Sequence, residues 1–234
     1  MKHIYKITDL TVAMDTFGRT AEQAVPYLAD SDGVADMVIV SGRESFQARY
    51  PGVSDDESEY YCTAFSFYSQ LVDFDGLMLH SSAVMMDGKA YLFSAPSGTG
   101  KSTHTQLWLD VFGDKAAILN DDKPALRCIG GEWYAYGTPW SGKHDISVNA
   151  RVPLGGICVL RRGAENKIAP YFGVAAIRDI FEQTPYSSNP EYVSKILELL
   201  DKLFLQVPVW KMECNMDPEA ARMSYEAMSG RKEN

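Results

Sequence analysis

The sequence holds little from which a metal centre or a disulfide framework could be built. Its 234 residues include only four cysteines and four histidines. The cysteines lie far apart, with no C-x-x-C pair and no histidine at metal-ligand spacing; they are Cys62, Cys128, Cys158 and Cys214. We therefore expect four reduced thiols. A chain of this length with 46% apolar residues can bury a core without disulfides.

Positive charge is also scarce. Lysine and arginine number 22 against 31 acidic residues, a net charge of −9. Nucleic acids and anionic membranes are bound mainly through clustered basic side chains, so we expect neither as a partner. The chain has no apolar run of about 18 residues, and its start, MKHIYKITDL, has no signal-peptide core. We expect a soluble, cytoplasmic protein.

No internal repeat or low-complexity tract is present, and one acidic, loop-like cluster at residues 52–59 divides the chain. We predict a small α/β segment of unassigned role at residues 1–75, packed on a main domain at residues 76–234. Within the first segment the pattern predicts short strands at residues 36–42 and 45–50. A helix is predicted at residues 60–74.

The main domain begins with a clear hairpin signal. Two strand-like runs, residues 77–86 and 89–95, are separated by Asp87 and Gly88, a pair typical of a tight type I′ turn. Apolar side chains at helical spacing then predict a helix over Lys101–Phe112, ending at Gly113; His104 falls on its packed face. A second hairpin is predicted at residues 124–137, and strands and helices alternate to residue 228. We predict an α/β core with a mixed sheet.

Between the hairpin and the helix lies APSGTGKS, residues 95–102. It fits G-x-x-x-x-G-K-[ST] except for Ala95 at the first position, where small size is the requirement. Glycines here allow left-handed backbone, which turns successive N–H groups inward to bind phosphate. The motif predicts a P-loop in which Lys101 reaches the phosphates and Ser102 binds Mg²⁺. The predicted nucleotide-binding residues are Ser97, Gly98, Thr99, Gly100, Lys101, Ser102 and Thr103.

A carboxylate pair follows the next predicted strand. Asp121 and Asp122 come after AAILN, at the place where a carboxylate faces Mg²⁺ in P-loop proteins. Adjacent strand residues point to opposite faces, so both can serve one site only if the strand ends there. Pro124 favours that ending. A solvated turn is the alternative reading of the pair.

These residues resemble the kinase domain of HPr kinase/phosphorylase and its smaller relatives, which share their core with ATP-dependent phosphoenolpyruvate carboxykinase. The resemblance rests on LHSSAVMMDGKAYLFSAPSGTGKST followed by NDD, which match the family at His80, the loop, and Asp121 with Asp122. It implies transfer of a phosphoryl group from ATP, with Mg²⁺, to a serine of a small protein or peptide. One aspartate would be the base, and His80 would orient a phosphate or tune that aspartate.

The division of roles follows strand alternation. Asp122 shares a face with Asn120 and is predicted to bind Mg²⁺, whereas Asp121 is predicted to be the base. Lys143, Arg161 and Arg162 are candidate phosphate or substrate contacts, with solvated side chains as the alternative. A different donor nucleotide and a homo-oligomer stay open.

Two other functions are compatible with the sequence. A nucleotide-binding regulatory module without turnover is suggested because no second metal-facing carboxylate follows Asp122. A small-molecule kinase or carboxykinase-like enzyme would use the same core.

Overall fold

The computed structural model of the protein describes residues 3–30, 34–142, 144–185 and 187–231. The strands in these ranges are β1 (His3–Ile7), β2 (Leu10–Met14), β3 (Met37–Ile39), β4 (Gly76–Met78), β5 (Ser81–Met86), β6 (Lys89–Ser94), β7 (Ala116–Asp122), β8 (Ala125–Ile129), β9 (Glu132–Tyr136), β10 (Arg151–Arg162), β11 (Lys167–Pro170) and β12 (Val209–Cys214). The α-helices are α1 (Gly18–Ala24), α2 (Arg43–Arg49), α3 (Asp55–Leu71), α4 (Lys101–Phe112), α5 (Val174–Phe181), α6 (Pro190–Gln206) and α7 (Glu219–Ser229). The fold class is mixed α/β, as predicted.

The larger sheet is mixed because it contains both parallel and antiparallel pairs of neighbouring strands. β10 pairs in parallel with β6 and with β12, while β5 lies antiparallel between β6 and β7. The strands β6, β7, β10 and β12 therefore run in one direction, and their carboxyl ends meet at one edge. In open α/β sheets ligands bind outside that edge. The first residues of β10 pair with β9, which leads on to β8 and β4.

The hairpin that precedes the glycine-bearing loop is confirmed, but its first strand is only β5: the predicted run 77–86 is divided, and its first residues belong to β4, which pairs with β8. β5 and β6 are antiparallel, and both turn residues have positive φ, 52° at Asp87 and 72° at Gly88. Both angles are typical of a type I′ turn. Helix α4 has the predicted bounds, and β8 and β9 turn at Gly130 and Gly131 as expected.

Two predictions in the first segment are wrong. Helix α3 begins at Asp55, five residues before the predicted start, because the acidic cluster is its first turn and not a loop. Ser54 is the N-cap: its Oγ accepts a hydrogen bond from the Glu57 amide at 3.3 Å and donates to the Glu57 carboxylate at 3.0 Å. This N-cap, with acidic side chains near the positive helix end, stabilises the start.

The predicted strand at residues 45–50 is helix α2 instead. The rings of Phe46 and Tyr50, four residues apart, lie 4.9 Å from each other, and Phe46 also contacts Tyr61 of α3 at 6.3 Å. Aromatic side chains four residues apart meet on one face of a helix, so the pattern was misread as alternation.

The N-terminal strands form a separate small sheet, with β1 antiparallel and β3 parallel to β2. Its core continues into the main domain: buried Tyr27 and Phe67 belong to the same cluster as Ala125 and Trp140. Helices α4 and α7 cover one face of the larger sheet and α6 the other. None of the helices in the described ranges is both long and apolar enough to cross a membrane.

Candidate functional site

The glycine loop, residues 95–100, connects the end of β6 to the start of α4 at the carboxyl edge of the sheet. Gly98 has φ of 76° and Gly100 has φ of 120°, and a Cβ built on either glycine would meet nothing within 4 Å. The turn is closed by a hydrogen bond of 3.2 Å from the Thr99 amide to the Pro96 carbonyl. Open space and left-handed backbone therefore occur together at the start of a helix.

Lys101, the first residue of α4, is folded back into the loop. Its Nζ donates to the Ala95 carbonyl at 3.0 Å, and the residue is only 8% exposed. Burial lowers the pKa of the Lys101 ammonium from its ordinary value, against the opposing charges of Asp122 and Asp121. A basic side chain thus lies inside the loop and close to both aspartates.

Asp121 and Asp122 end β7 and point to opposite faces of the sheet. Asp121 lies opposite Ser82 and Asp122 opposite Ser81, and residues directly opposed in antiparallel strands share a face. Ser82 Oγ is 2.7 Å from Thr105 Oγ1 of α4. Asp121 therefore lies on the α4 side, where it is 8% exposed and its Oδ1 has no hydrogen-bond partner among the described residues.

Asp122, on the other face, lies between two basic side chains. Its Oδ1 is 3.4 Å from His80 Nε2, and its Oδ2 contacts Lys123 Nζ. Burial alone would raise the pKa of Asp122, but the hydrogen bond from His80 and the charge of Lys123 outweigh it and lower the pKa to about 2. This carboxylate is ionised at neutral pH.

His80 is held in place by the segment that follows α5. Its Nδ1 is 3.0 Å from Gln183 Oε1, and its backbone N–H donates to the Gln183 carbonyl at 2.8 Å. The ring is therefore fixed between Gln183 and Asp122.

Lys123 is a site residue that the sequence interpretation missed. Its amide and that of Asp122 both donate to Asn120 Oδ1, at 2.8 and 3.1 Å, which turns the chain at the strand end. The Lys123 side chain is only 18% exposed. Burial alone would lower the pKa of Lys123, but Tyr60 and Asp122 outweigh it and raise the pKa. A lysine beside two aspartates and a proline looks like a solvated turn residue, so no local signal marked it.

The N-terminal segment also reaches the site. Tyr60 of α3 has its hydroxyl 3.3 Å from Lys123 Nζ, and the same hydroxyl accepts the Gly142 N–H at 2.9 Å. The guanidinium of Arg19 lies over the Tyr60 ring, 4.0 Å from its centroid. No pattern in the sequence could have placed this helix beside the aspartates, since Tyr60 and Lys123 are far apart in the chain.

A loop after β9 covers the aspartate pair. Gly142 has φ of 76°, and a Cβ there would lie 2.9 Å from the Asp122 Cβ, so only glycine allows this approach. The Asp121 amide donates to the Ile146 carbonyl at 3.0 Å. Lys143, predicted as a substrate contact, belongs to this loop but lies outside the described residues.

The two arginines at the end of β10 are separated by the structure. Arg162 donates to the carbonyls of Gly98, at 2.6 Å, and Thr99, at 3.2 Å, so it braces the glycine loop. Arg161 points to the other face and is paired with Asp179 at 2.9 Å. The structure thus brings Arg162 to the loop and directs Arg161 towards α5. The contact of either arginine with a phosphate or substrate stays a prediction.

Comparison with known proteins adds a likeness to solved structures. No family model matches the chain, and no curated protein matches it. Among solved structures, the chain is similar to the HPr(Ser) kinase/phosphatase from Coxiella burnetii, at 14% identity and a TM-score of 0.35. The match covers 64% of this chain and 92% of that one. Similarity at this level says nothing about activity, so function has to be inferred from the residues of this chain.

Proposed function

We propose that the chain is a phosphotransferase that moves the γ-phosphoryl group of ATP to the hydroxyl of a serine in a small protein or peptide. The observation that carries the proposal is the placement of Lys101 inside the glycine loop, on the same side of the sheet as Asp121, whose Oδ1 has no hydrogen-bond partner among the described residues. The choice of ATP and of serine is supported by the motif resemblance in the sequence.

The glycine loop fits phosphate. Left-handed backbone at Gly98 and Gly100 suits a nest of N–H groups, and the space beside both glycines is open. Helix α4 begins at Lys101, and a helix N-terminus favours anions. Release of Lys101 Nζ from the Ala95 carbonyl would make its charge available to the β- and γ-phosphates.

Two oxygen donors fit Mg²⁺ on the α4 side. Ser102 is exposed in the first turn of α4, and Asp121 Oδ1 is a buried oxygen without a partner among the described residues. Mg²⁺ prefers such oxygen ligands and usually completes its shell with phosphate and water. Bound there, the ion would neutralise charge on the phosphates.

These positions support the reverse of the roles assigned from the sequence. Asp121 shares the face of α4, where Ser102 lies, so we assign it to the metal. Asp122 is paired with His80 and Lys123 on the other face, so we assign it to the acceptor. Alternation along the strand correctly predicted that the two side chains lie on opposite faces of the sheet. It could not predict which of the two faces packs against α4.

In the proposed reaction the acceptor hydroxyl gives its proton to the Asp122 carboxylate. Its oxygen forms a bond to the γ-phosphorus, while the bond from that phosphorus to the β–γ bridging oxygen breaks and ADP leaves. His80 and Lys123 orient Asp122 and keep it ionised. A carboxylate with a low pKa is sufficient, because the transition state is loose and requires little prior deprotonation of the acceptor.

The first test is nucleotide binding, measured by calorimetry. Lys101→Ala should abolish binding of Mg²⁺-ATP, whereas Lys89→Ala, at an exposed position on β6, should leave it unchanged. Labelled ATP is then incubated with serine-containing peptides and, separately, with small hydroxyl metabolites. Label on a peptide supports the proposal. Label on a metabolite would mean that the acceptor is a small molecule and not a peptide. Nucleotide binding without transfer favours the regulatory module.

The second test separates the two aspartates. Asp121→Asn should weaken Mg²⁺-ATP binding and lose transfer. Asp122→Asn should keep the binding and lose about 10²- to 10⁴-fold in transfer rate, the usual effect of removing a general base. The opposite pattern would restore the assignment made from the sequence. Two active variants would remove both aspartates from the mechanism.

A further inference from the structure

A cavity lies in the N-terminal segment, at the carboxyl ends of β2 and β3. Its volume is about 460 Å³, within the range of small-molecule sites. Its lining residues are Asp15, Thr16, Phe17, Val40, Ser41, Gly42, Arg43, Glu44, Ser45 and Glu59. β2 and β3 are parallel neighbours, and the crevice beyond the carboxyl ends of such strands is where α/β sheets bind ligands.

Glu59 of α3 is a buried acidic residue in the lining of the cavity. It is 1% exposed, and its Oε2 accepts a hydrogen bond of 2.5 Å from Ser41 Oγ. Its Oε1 is buried without a hydrogen-bond partner among the described residues, and so is Thr16 Oγ1 on the same wall. A buried carboxylate oxygen is costly unless a donor meets it, so the cavity is suited to a ligand that brings one.

Charge indicates the kind of donor. Three acids, Asp15, Glu44 and Glu59, line the cavity against one base, Arg43, whose guanidinium lies 4.5 Å from the centroid of the Phe17 ring. In the described ranges no group of three or more His, Cys, Asp or Glu side chains is arranged to hold a metal ion. An organic cation is therefore the ligand that fits the acidic lining of the cavity.

We propose that this N-terminal cavity binds an ammonium or guanidinium group, held by a charge-assisted hydrogen bond to Glu59 Oε1. The group comes either from a free small amine or from a lysine or arginine side chain of a peptide. The proposal is independent of the phosphotransferase function, because none of the lining residues belongs to the glycine loop or to the aspartate pair.

The test is binding measured by calorimetry on the full chain. Free cations are represented by agmatine and putrescine, with 1,4-butanediol as the neutral control. The peptide source is represented by a blocked pentapeptide with a central arginine, with citrulline in that position as its control. We expect the free cations, the arginine peptide or both to bind and the neutral controls not to bind. Whichever of these two kinds of probe binds more tightly identifies the source.

Variants connect the binding to Glu59. Glu59→Gln should weaken it by about ten- to hundredfold, as expected for loss of a hydrogen bond between charged groups. Glu226→Gln, at an exposed position on α7, should leave it unchanged. Lys101→Ala should also retain it, so a failure of the phosphotransferase proposal and a failure of this one are told apart.

If Glu59→Gln does not fold, NMR on the wild-type chain tests whether the cation binds in this cavity. The bound cation should shift the amide signals of residues 15–17 and 40–45. Lack of binding by any cation at millimolar concentration, equal binding of the neutral controls, unchanged binding by a folded Glu59→Gln, or shifts confined to other regions would each overturn the proposal.

Discussion

At the scale of single residues, the charge of Asp122 is set by neighbours that come from different parts of the chain. His80 precedes β5 and Lys123 follows β7, and together they lower the pKa of Asp122 from 3.8 to about 2 although burial opposes them. The folded protein therefore binds this proton less readily than the unfolded chain. The stability that this difference in the Asp122 pKa contributes is fully present above pH 4 and is lost as the pH falls towards 2.

Lys123→Met should raise the pKa of Asp122, because the charge and hydrogen bond of Lys123, which oppose the burial effect, would be lost. Titration of the Asp122 carboxyl carbon by NMR measures the change directly. The slope of unfolding free energy against pH, between about 4 and 2, should also become shallower.

Lys89→Met, which removes an exposed lysine, is the matched control and should change neither quantity. An Asp122 pKa that is unchanged in Lys123→Met would mean that the contact between the two side chains does not control the carboxylate.

At the scale of elements, predictions from the sequence succeeded where the signal is local. Local patterns correctly predicted the two hairpin turns and the bounds of α4. These patterns are Asp87 with Gly88, Gly130 with Gly131, and the helical spacing that ends at Gly113. β1 and β2 were missed because their turn uses Thr8 and Asp9, with φ of 54° and 65°, where no glycine marks it. Lys123 and Tyr60 were missed for another reason, since tertiary packing alone brings them to the aspartates.

The glycine loop depends on a backbone conformation that other residues rarely adopt. Gly100→Ala should lose nucleotide binding and cost about 1 to 3 kcal/mol of stability, because φ of 120° is strained for alanine although no atom would clash. Calorimetry and the thermal unfolding midpoint measure the two effects. Gly52→Ala, at an open position without positive φ, should change little. Wild-type affinity in Gly100→Ala would exclude the loop as the phosphate site.

The hydroxyl of Ser224 on α7 contacts two side chains of α4. Ser224 Oγ lies 3.0 Å from His104 Nε2 and accepts the Trp108 indole N–H at 2.9 Å. His104 also contacts the Phe93 ring, with 4.4 Å between centroids. Burial lowers the pKa of His104 from 6.5 to about 4, so protonation is confined to acid pH. His104 thus packs in the core, as the sequence predicted.

This buried histidine should make stability depend on pH. Between 6.5 and about 4 the unfolded chain binds the proton and the folded protein does not, so stability falls as the pH falls. The loss should be about 3 kcal/mol over that range. Urea unfolding of His104→Leu should show a flatter profile than the wild type, whereas His3→Leu, at an exposed position on β1, should keep the wild-type slope. Parallel profiles for wild type and His104→Leu would contradict the assignment.

At the scale of the whole molecule, the predicted boundary at residue 75 crosses a continuous set of contacts. Arg127 donates to the Thr8 carbonyl at 2.6 Å, and the Tyr136 hydroxyl donates to Asp9 at 2.7 Å. Tyr27 and Ser147 hydroxyls are 2.9 Å apart. Tyr60 adds a contact at the aspartate pair. The first segment therefore supports the walls of the candidate site.

These contacts lead us to expect that the chain unfolds as one unit. All four tryptophans follow residue 75, but Trp140 packs on Phe67 and Tyr68 of α3. The fluorescence is therefore recorded in a Trp140→Phe background, where Trp108, Trp133 and Trp210 report on the main domain. Ile7→Ala removes a fully buried side chain from the core beneath the N-terminal sheet and should cost about 2 to 5 kcal/mol. If unfolding is cooperative, the urea midpoint of tryptophan fluorescence should fall together with that of far-UV circular dichroism.

Val34→Ala, at a position that is 95% exposed, is the surface control and should leave both midpoints unchanged. Tryptophan fluorescence that keeps its wild-type midpoint in Ile7→Ala, while circular dichroism shows an earlier transition, would show two independent units. The contribution of α3 to the site would then be lost before the main domain unfolds, and phosphoryl transfer should fall at the lower of the two midpoints.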